Sequence, residues 1–289
     1  MNNLPLVSIL IPVYNRASIV SRAIDSALSQ TYSNIEIIIV DNNSTDSTWD
    51  ILLKYKQRDS RIKIFKNETN IGPVRNWLRC INESSGKYIK FLWSDDTIAP
   101  TFISETTAIL ENNPLIGFTY TKVDIIIDGI HSESYNLGAS GHYKSKKFIK
   151  NSLLSPYTVP VSPGCALFRR DDITNSFVIN IKNPYNIDYS ASGAGNDMLF
   201  FLSTCLKYPY FYFINTTLSF FYGGNDSITM CNDLTRHYDF AKCYFIRKHF
   251  FKLPHTSIIY YKQLSKTKKV ALLFPQLYRL YRDLKQSNK

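Results

Sequence analysis

This 289-residue sequence has few of the features that support small extracellular or membrane-embedded folds. Its five cysteines, at 80, 165, 205, 231 and 243, are odd in number and show no C-x-x-C or Cys/His spacing. That excludes a disulfide framework and a structural zinc site, and it fits a reducing compartment. The five histidines, at 131, 142, 237, 249 and 255, are scattered singly and read as surface or core residues. No apolar run approaches the roughly 18 residues that a bilayer-spanning helix needs. The N-terminal "MNNLPLVSILIPVYN" lacks a basic leader and reads as a first strand rather than a signal peptide. Glycine is sparse, with 11 in all, and none stands in "PVYNRAS" after that strand. A triphosphate-cradling loop is therefore missing there, which argues against a sugar nucleotidyltransferase.

Acids are scarce in one region only. From Lys242 to Lys289 twelve Lys and Arg accompany a single acid, Asp283, while residues 1–241 carry 22 basic and 22 acidic residues. The whole formal charge of +11 thus sits in the last 48 residues. A basic tail on a neutral body favours a local anionic partner, a membrane surface or a nucleic acid, over a footprint spread along the chain. The tail interleaves Lys and Arg with Val270, Leu272, Leu273, Phe274, Leu277, Tyr278, Leu280, Tyr281 and Leu284. Such a helix lies in an anionic interface or packs on the domain, with Pro275 kinking it.

The remaining sequence has a regular rhythm. Val7–Val13 and Ile35–Val40 are β-branched runs, each followed by residues at helical spacing, and Ile62–Phe65 leads into a helix opened by Pro73 and closed by Gly86. Strands alternating with helices predict a mostly parallel sheet covered on both faces, with ligands beyond the carboxyl ends of the strands. The polar clusters "PVYNR", "DNNSTDS", "NETNIG" and "SDD" all fall at those ends. After about residue 115 the pattern turns to hairpins, with an Asp128-Gly129 turn; Phe211–Ile214 and Leu218–Tyr222 read as two further strands, and the chain is helical from Leu234.

"GKYIKFLWSDDTIAP" holds the sharpest signal. An apolar strand, Tyr88–Trp93, runs through Ser94 into Asp95-Asp96, two like charges that are costly together unless a cation or a polyol offsets them. A carboxylate so placed binds Mg²⁺ or Mn²⁺ through oxygen, with substrate phosphates and water completing the shell. Asp41 ends the second strand, where its carboxylate accepts from a nucleotide base or ribose, or serves as a helix cap or Asx turn. Arg75 is set to contact phosphate, to pair with Asp95 or Asp96, or to stay at the surface. "GAGNDMLFFL" is a Gly-containing loop feeding an apolar helix, with Asn196 or Asp197 at its start.

In order and spacing, "SILIPVYNR", "EIIIVDNNSTDST", "NIGPVRN" and "GKYIKFLWSDD" resemble the signature series of the family 2 glycosyltransferases, closely over residues 6–100 and more loosely at "PGCALFRR" and "GAGND". The resemblance implies an α/β GT-A nucleotide-diphospho-sugar transferase fold, with a mostly parallel central sheet, flanking helices, a small antiparallel addition and a helical basic C-terminus. It implies a catalytic domain over 1–232, divided into a nucleotide-binding half (1–115) and an acceptor half (116–232), followed by a basic extension over 233–289. By the same resemblance Asp96 is the metal ligand for Mn²⁺ or Mg²⁺ and Asp95 faces the ribose or sugar hydroxyls. Asp41 recognises the base in a pocket lined by Pro12, Tyr14 and Asn15, with Asn70 and Arg75 nearby. Asp197 is the general base of an inverting transfer, Asn196 standing where relatives have Glu. Asn225 and Asp226 stand where many relatives place a His ligand. The implied partners are a nucleotide diphosphate sugar and a glycan acceptor on a lipid carrier, with residues 242–289 touching an anionic membrane and no nucleic acid bound. The implied setting is surface polysaccharide synthesis by an enzyme that is cytoplasmic and peripheral at the inner face of the cell membrane. A nucleic-acid binder working through the tail is the non-catalytic alternative.

Overall fold

A computed structural model of the chain describes residues 4–154, 159–181, 183, 187–224 and 233–249. Asn225, Asp226 and the tail beyond His249 lie outside the described residues.

The first half repeats one unit. Strands β1 (Val7–Val13), β2 (Ile35–Asp41), β3 (Ile62–Lys66) and β4 (Tyr88–Phe91) pair in parallel in the order β3-β2-β1-β4. Helices α1 (Val20–Leu28), α2 (Thr48–Arg58) and α3 (Pro73–Glu83) connect them. β1 and β2 are buried at every position, so alternate residues feed two cores. Ile9, Ile11, Ile37 and Ile39 pack with Ala23, Ile24 and Leu52 on one face, and Leu10, Ile38 and Val40 with Val74 and Trp77 on the other.

Two-residue strand β5 (Thr97–Ile98) and helix α4 (Phe102–Asn112) follow the paired acids. The sheet then continues through β6 (Ile116–Ile127), β7 (Ile130–Ser134), β8 (Gly141–Lys144), β9 (Ala166–Arg169) and β10 (Tyr210–Gly223). β9 lies antiparallel between β4 and β6, and β6 runs parallel to β10. The Asp128-Gly129 turn joins β6 and β7, both residues in the left-handed region at φ 50° and 77°. Helices α5 (Ser145–Leu154), α6 (Arg170–Ser176), α7 (Asn196–Lys207) and α8 (Thr235–His249) cover the second half. α8 contributes Ala241, Phe245 and Ile246 to the same core as α3 and α7.

The structure corrects three local expectations. Helix α3 ends at Glu83 with Ser84 following, not at Gly86. Gly86 answers a different need: a Cβ there would lie 2.5 Å from Ser8 Oγ and 2.7 Å from Ser8 N, so glycine lets the chain pass under β1. The fourth strand stops at Phe91, short of Trp93. Phe211–Ile214 and Leu218–Tyr222 form one strand, β10, because the exposed Asn215-Thr216 pair is absorbed as a register shift against β6.

Candidate active site

The site lies where neighbouring strands part. β1 pairs with β4 only as far as Leu10 and Phe91, yet stays paired with β2 to Asp41. Pro12, buried opposite Val40, therefore has its missing N–H on the side where β4 has already ended. The strand order reverses between β1 and β4, the place at which open α/β sheets bind ligands, and the first four loops follow the carboxyl ends of these strands.

Side chains stitch these loops together. Tyr14 is exposed at the rim. Asn15 takes φ 50°, donates its N–H to Ser44 Oγ at 2.9 Å and accepts from Thr45 N at 2.9 Å. Ala17 N donates to Asp46 Oδ2 at 3.0 Å, and Arg16 N to Thr48 Oγ1 at 2.8 Å. Asp41 is fully buried and accepts the Ser44 N–H at 3.2 Å and the Ser44 hydroxyl, a side-chain cap on the loop three residues on. Lys66 Nζ stands 3.8 Å from its Oδ2 and 5.4 Å above the Trp49 ring. Asn70 accepts from Asn42 Nδ2 at 2.8 Å and from Gly72 N at 3.0 Å. Asn67 donates to both Asn42 and Asn76, so four asparagines hold the second and third loops as one body.

The paired acids differ in surroundings. Asp96 is 5% exposed and accepts the Tyr222 N–H through Oδ1 at 3.0 Å. Burial first, and then the charge of Asp95, push its carboxyl well above the usual range; the Tyr222 N–H, Lys90 and Arg22 oppose the rise. Lys90, fully buried in β4, donates to the Gly164 carbonyl and lies 4.3 Å over the Phe102 ring. Burial pulls its ammonium down to about 7, with Cys165 and Asp96 acting in the opposite direction. Arg22 of α1 donates to the Asp95 carbonyl at 2.5 Å and lies 3.6 Å over the Tyr222 ring. Arg75 takes a different partner from the acids, donating to Ser190 Oγ at 2.9 Å across to the second half. Among the described residues no group of three or more His, Cys, Asp and Glu is arranged to hold a metal. The buried carboxyl of Asp96, crowded by Asp95, fits a divalent cation whose shell substrate phosphates and water would complete.

Asp197 sits at the first turn of α7, behind Gly195 with φ 93°. Its Oδ1 accepts from Gly195 N at 2.9 Å and Met198 N at 2.7 Å, and its Oδ2 from the Tyr238 hydroxyl at 3.0 Å. Burial raises this carboxyl to about 7 against those three bonds. Asn196 turns away, its Nδ2 donating to the Val178 and Ile179 carbonyls, and so braces the helix start. Trp93, two residues before Asp95, donates to Ser162 Oγ at 2.9 Å. The backbone of Val161 and Ser162 hydrogen-bonds the Tyr135 phenol, which burial first and then the nearby charges of Cys165 and Asp197 keep neutral. Trp93 also packs on Trp77, ring centroids 4.9 Å apart.

A sequence model described as Glycosyl transferase family 2 matches residues 8–177, more than half of the chain. The chain belongs to that family. Family 2 members in general depend on a divalent cation. Two Escherichia coli relatives are named UDP-Glc:alpha-D-GlcNAc-diphosphoundecaprenol beta-1,3-glucosyltransferases. WfaP is 41% identical over 144 residues, 48% of this chain and 56% of its own length. WfgD is 38% identical over 122 residues, 42% of this chain and 47% of its own. The chain thus spans about half the length of the curated relatives it matches. Among solved structures, S. aureus TarS 1-349 in complex with UDP-GlcNAc superposes with a TM-score of 0.64 at 17% identity, over 92% of this chain and 79% of that one, a likeness that shows the GT-A fold.

Sequence reasoning missed Arg22, Lys90, Tyr135 and Tyr238. Lys90 carried a readable signal, a lone cation inside the otherwise apolar run "YIKFLW". Arg22 and Tyr238 act across 73 and 41 residues of chain, and no local pattern marks them.

Proposed function

We propose that this family 2 protein transfers a sugar from a nucleoside diphosphate sugar to a hydroxyl of a lipid-linked glycan, with inversion, in surface polysaccharide synthesis. The observation that carries the reading is a buried carboxyl, Asp197, raised to about 7 and held at the start of α7 by three hydrogen bonds. The names of WfaP and WfgD, with a UDP-sugar donor and a diphosphoundecaprenol-linked acceptor, support the substrate classes.

In this reading the nucleotide occupies the crevice between β1 and β4, its base and ribose at Asp41, Pro12, Tyr14 and Asn15 and its diphosphate near Asp95, with Asn70 and Arg75 at the rim. Asp96 would hold Mg²⁺ or Mn²⁺, with Asp95 toward the ribose or sugar hydroxyls, and the ion would offset the charge of the leaving diphosphate. Asp197 takes the proton of the acceptor hydroxyl as its oxygen bonds to the anomeric carbon. The bond from that carbon to the diphosphate oxygen breaks, and the nucleoside diphosphate leaves with the electron pair. A carboxyl at about 7 is half ionised near neutrality, a suitable base for that step. The basic segment from Lys242 suits a peripheral position at the inner membrane face. Among the described residues no helix is long and apolar enough to cross a membrane.

The test is incubation with UDP-glucose, UDP-GlcNAc and other nucleotide sugars against a GlcNAc-diphospholipid, with the product's anomeric configuration read by NMR. An inverted glycoside that requires both Asp96 and Asp197 is expected. Retention of configuration, or full turnover in Asp197→Asn, overturns the mechanism.

A further inference from the structure

The family match ends at residue 177, before Asp197 and before helix α8. Yet α8 reaches the proposed base. Oδ1 of Asp197 is occupied by two amides of its own loop and helix, whereas Oδ2 has a partner from a different element, the Tyr238 hydroxyl at 3.0 Å. We infer that Tyr238 is a positioning residue for Asp197, and that α8 completes the catalytic centre instead of merely following it. This inference rests on the assignment of Asp197 as base.

The packing fixes α8 where that bond requires it. Ala241, Phe245 and Ile246 are buried in the core shared with α7. The Tyr189 hydroxyl donates to the His237 carbonyl at 3.0 Å, one residue before Tyr238. At Gly195 a Cβ would stand 2.8 Å from Ala241 Cβ and 3.1 Å from the His237 carbonyl oxygen. The loop that presents Asp197 and the helix that presents Tyr238 therefore touch backbone to backbone, and only glycine allows the approach.

The consequence for the base is chemical. A phenol donating to Oδ2 favours the carboxylate over the acid and so opposes the burial that raises it. It also holds one lone pair of Oδ2, leaving the other direction for the acceptor hydroxyl. Among the described residues, the phenols that feel the Asp197 charge are Tyr238 from α8 and Tyr135 from the β7–β8 connection; both are pushed up by burial and stay neutral through the working range.

The experiment is Tyr238→Phe in the full chain, which keeps the ring and removes only the hydroxyl. With UDP-sugar donor and GlcNAc-diphospholipid acceptor, the acid limb of the kcat–pH profile should move up by about one unit, as loss of one charge-assisted bond implies. kcat at pH 7 should fall about fivefold, as the ionised fraction drops from about a half to about a tenth, with donor KM unchanged. The ¹³C titration of the Asp197 carboxyl should move by the same amount, a readout that needs no turnover. In the Asp197→Asn background the second change should add no further loss. A wild-type limb and an unmoved carboxyl titration in Tyr238→Phe overturn the inference while leaving the base assignment intact. Turnover preserved in Asp197→Asn overturns the base assignment itself, and this inference with it.

Discussion

Replacing the proposed base should make the protein more stable, by an amount that depends on pH. In the folded chain the Asp197 carboxyl lies at about 7, against 3.8 for an ordinary aspartate. Because the folded value is the higher one, the folded state holds the extra proton. The carboxyl's favourable contribution is complete below pH 3.8 and is lost as pH rises through 7. Each unit corresponds to about 1.4 kcal/mol, so between pH 5 and pH 8 the wild type loses about 3 kcal/mol, nearly all of it below pH 7. Asp197→Asn does not titrate. Its carbonyl oxygen keeps the Gly195 and Met198 amides, and its amide faces the Tyr238 oxygen, which accepts as readily as it donates. Thermal unfolding of both proteins at pH 5, 6, 7 and 8 should show the variant's advantage widening by about 3 kcal/mol and then levelling, roughly 6–12 °C in Tm for a chain of this size. Transferase activity of the wild type should rise over the same interval. A stability difference that stays constant from pH 5 to pH 8 refutes the reasoning, since it would mean that Asp197 is ionised throughout.

Other consequences follow from the neighbouring groups. Arg22→Ala removes the bond to the Asp95 carbonyl and the stack on Tyr222, so donor KM should rise about tenfold while Tm changes little, measured by initial rates and thermal unfolding. Arg22→Lys should recover less than half of that loss, because an ammonium cannot stack flat on the ring. In Lys90→Met a buried ammonium gives way to an apolar chain of similar length. The folded ammonium lies at about 7, below its unfolded value, so wild-type stability climbs between pH 7 and about 10; that slope should vanish in the variant, as unfolding across this range would show. Gly86→Ala forces a Cβ to within 2.5 Å of Ser8 Oγ and 2.9 Å of the Leu6 carbonyl, and urea unfolding should register a loss of about 1–3 kcal/mol.

The first half of the molecule was legible because its information is local. β1, β2 and β3 announce themselves as β-branched runs, Pro73 marks a helix start, and the acids stand at strand ends where polar clusters interrupt apolar ones. Residues whose work depends on distant partners left no such trace. Gly86 follows a helix and so resembles a helix stop, but the reason for it is Ser8, 78 residues earlier. Arg75 offered three partners by sequence, and the structure supplies a fourth, Ser190, 115 residues away. The bulge at Asn215–Thr217 reads as a turn because three polar residues interrupt an apolar run, and only the continued pairing with β6 distinguishes the two. Asp197 could be located from its Gly-containing loop, while its raised carboxyl depends on α7, α8 and the core closing around it.

The three tryptophans of the chain have a further significance. Trp49 lies under Lys66, which in turn approaches Asp41, and Trp77 packs on Trp93, which stands two residues before Asp95. The entire indole emission of the protein thus originates beside the crevice proposed for the donor, and rings 4.9 Å apart exchange excitation readily. Ultraviolet fluorescence consequently reports on that crevice without an attached dye, and the protein carries its own optical gauge of occupancy.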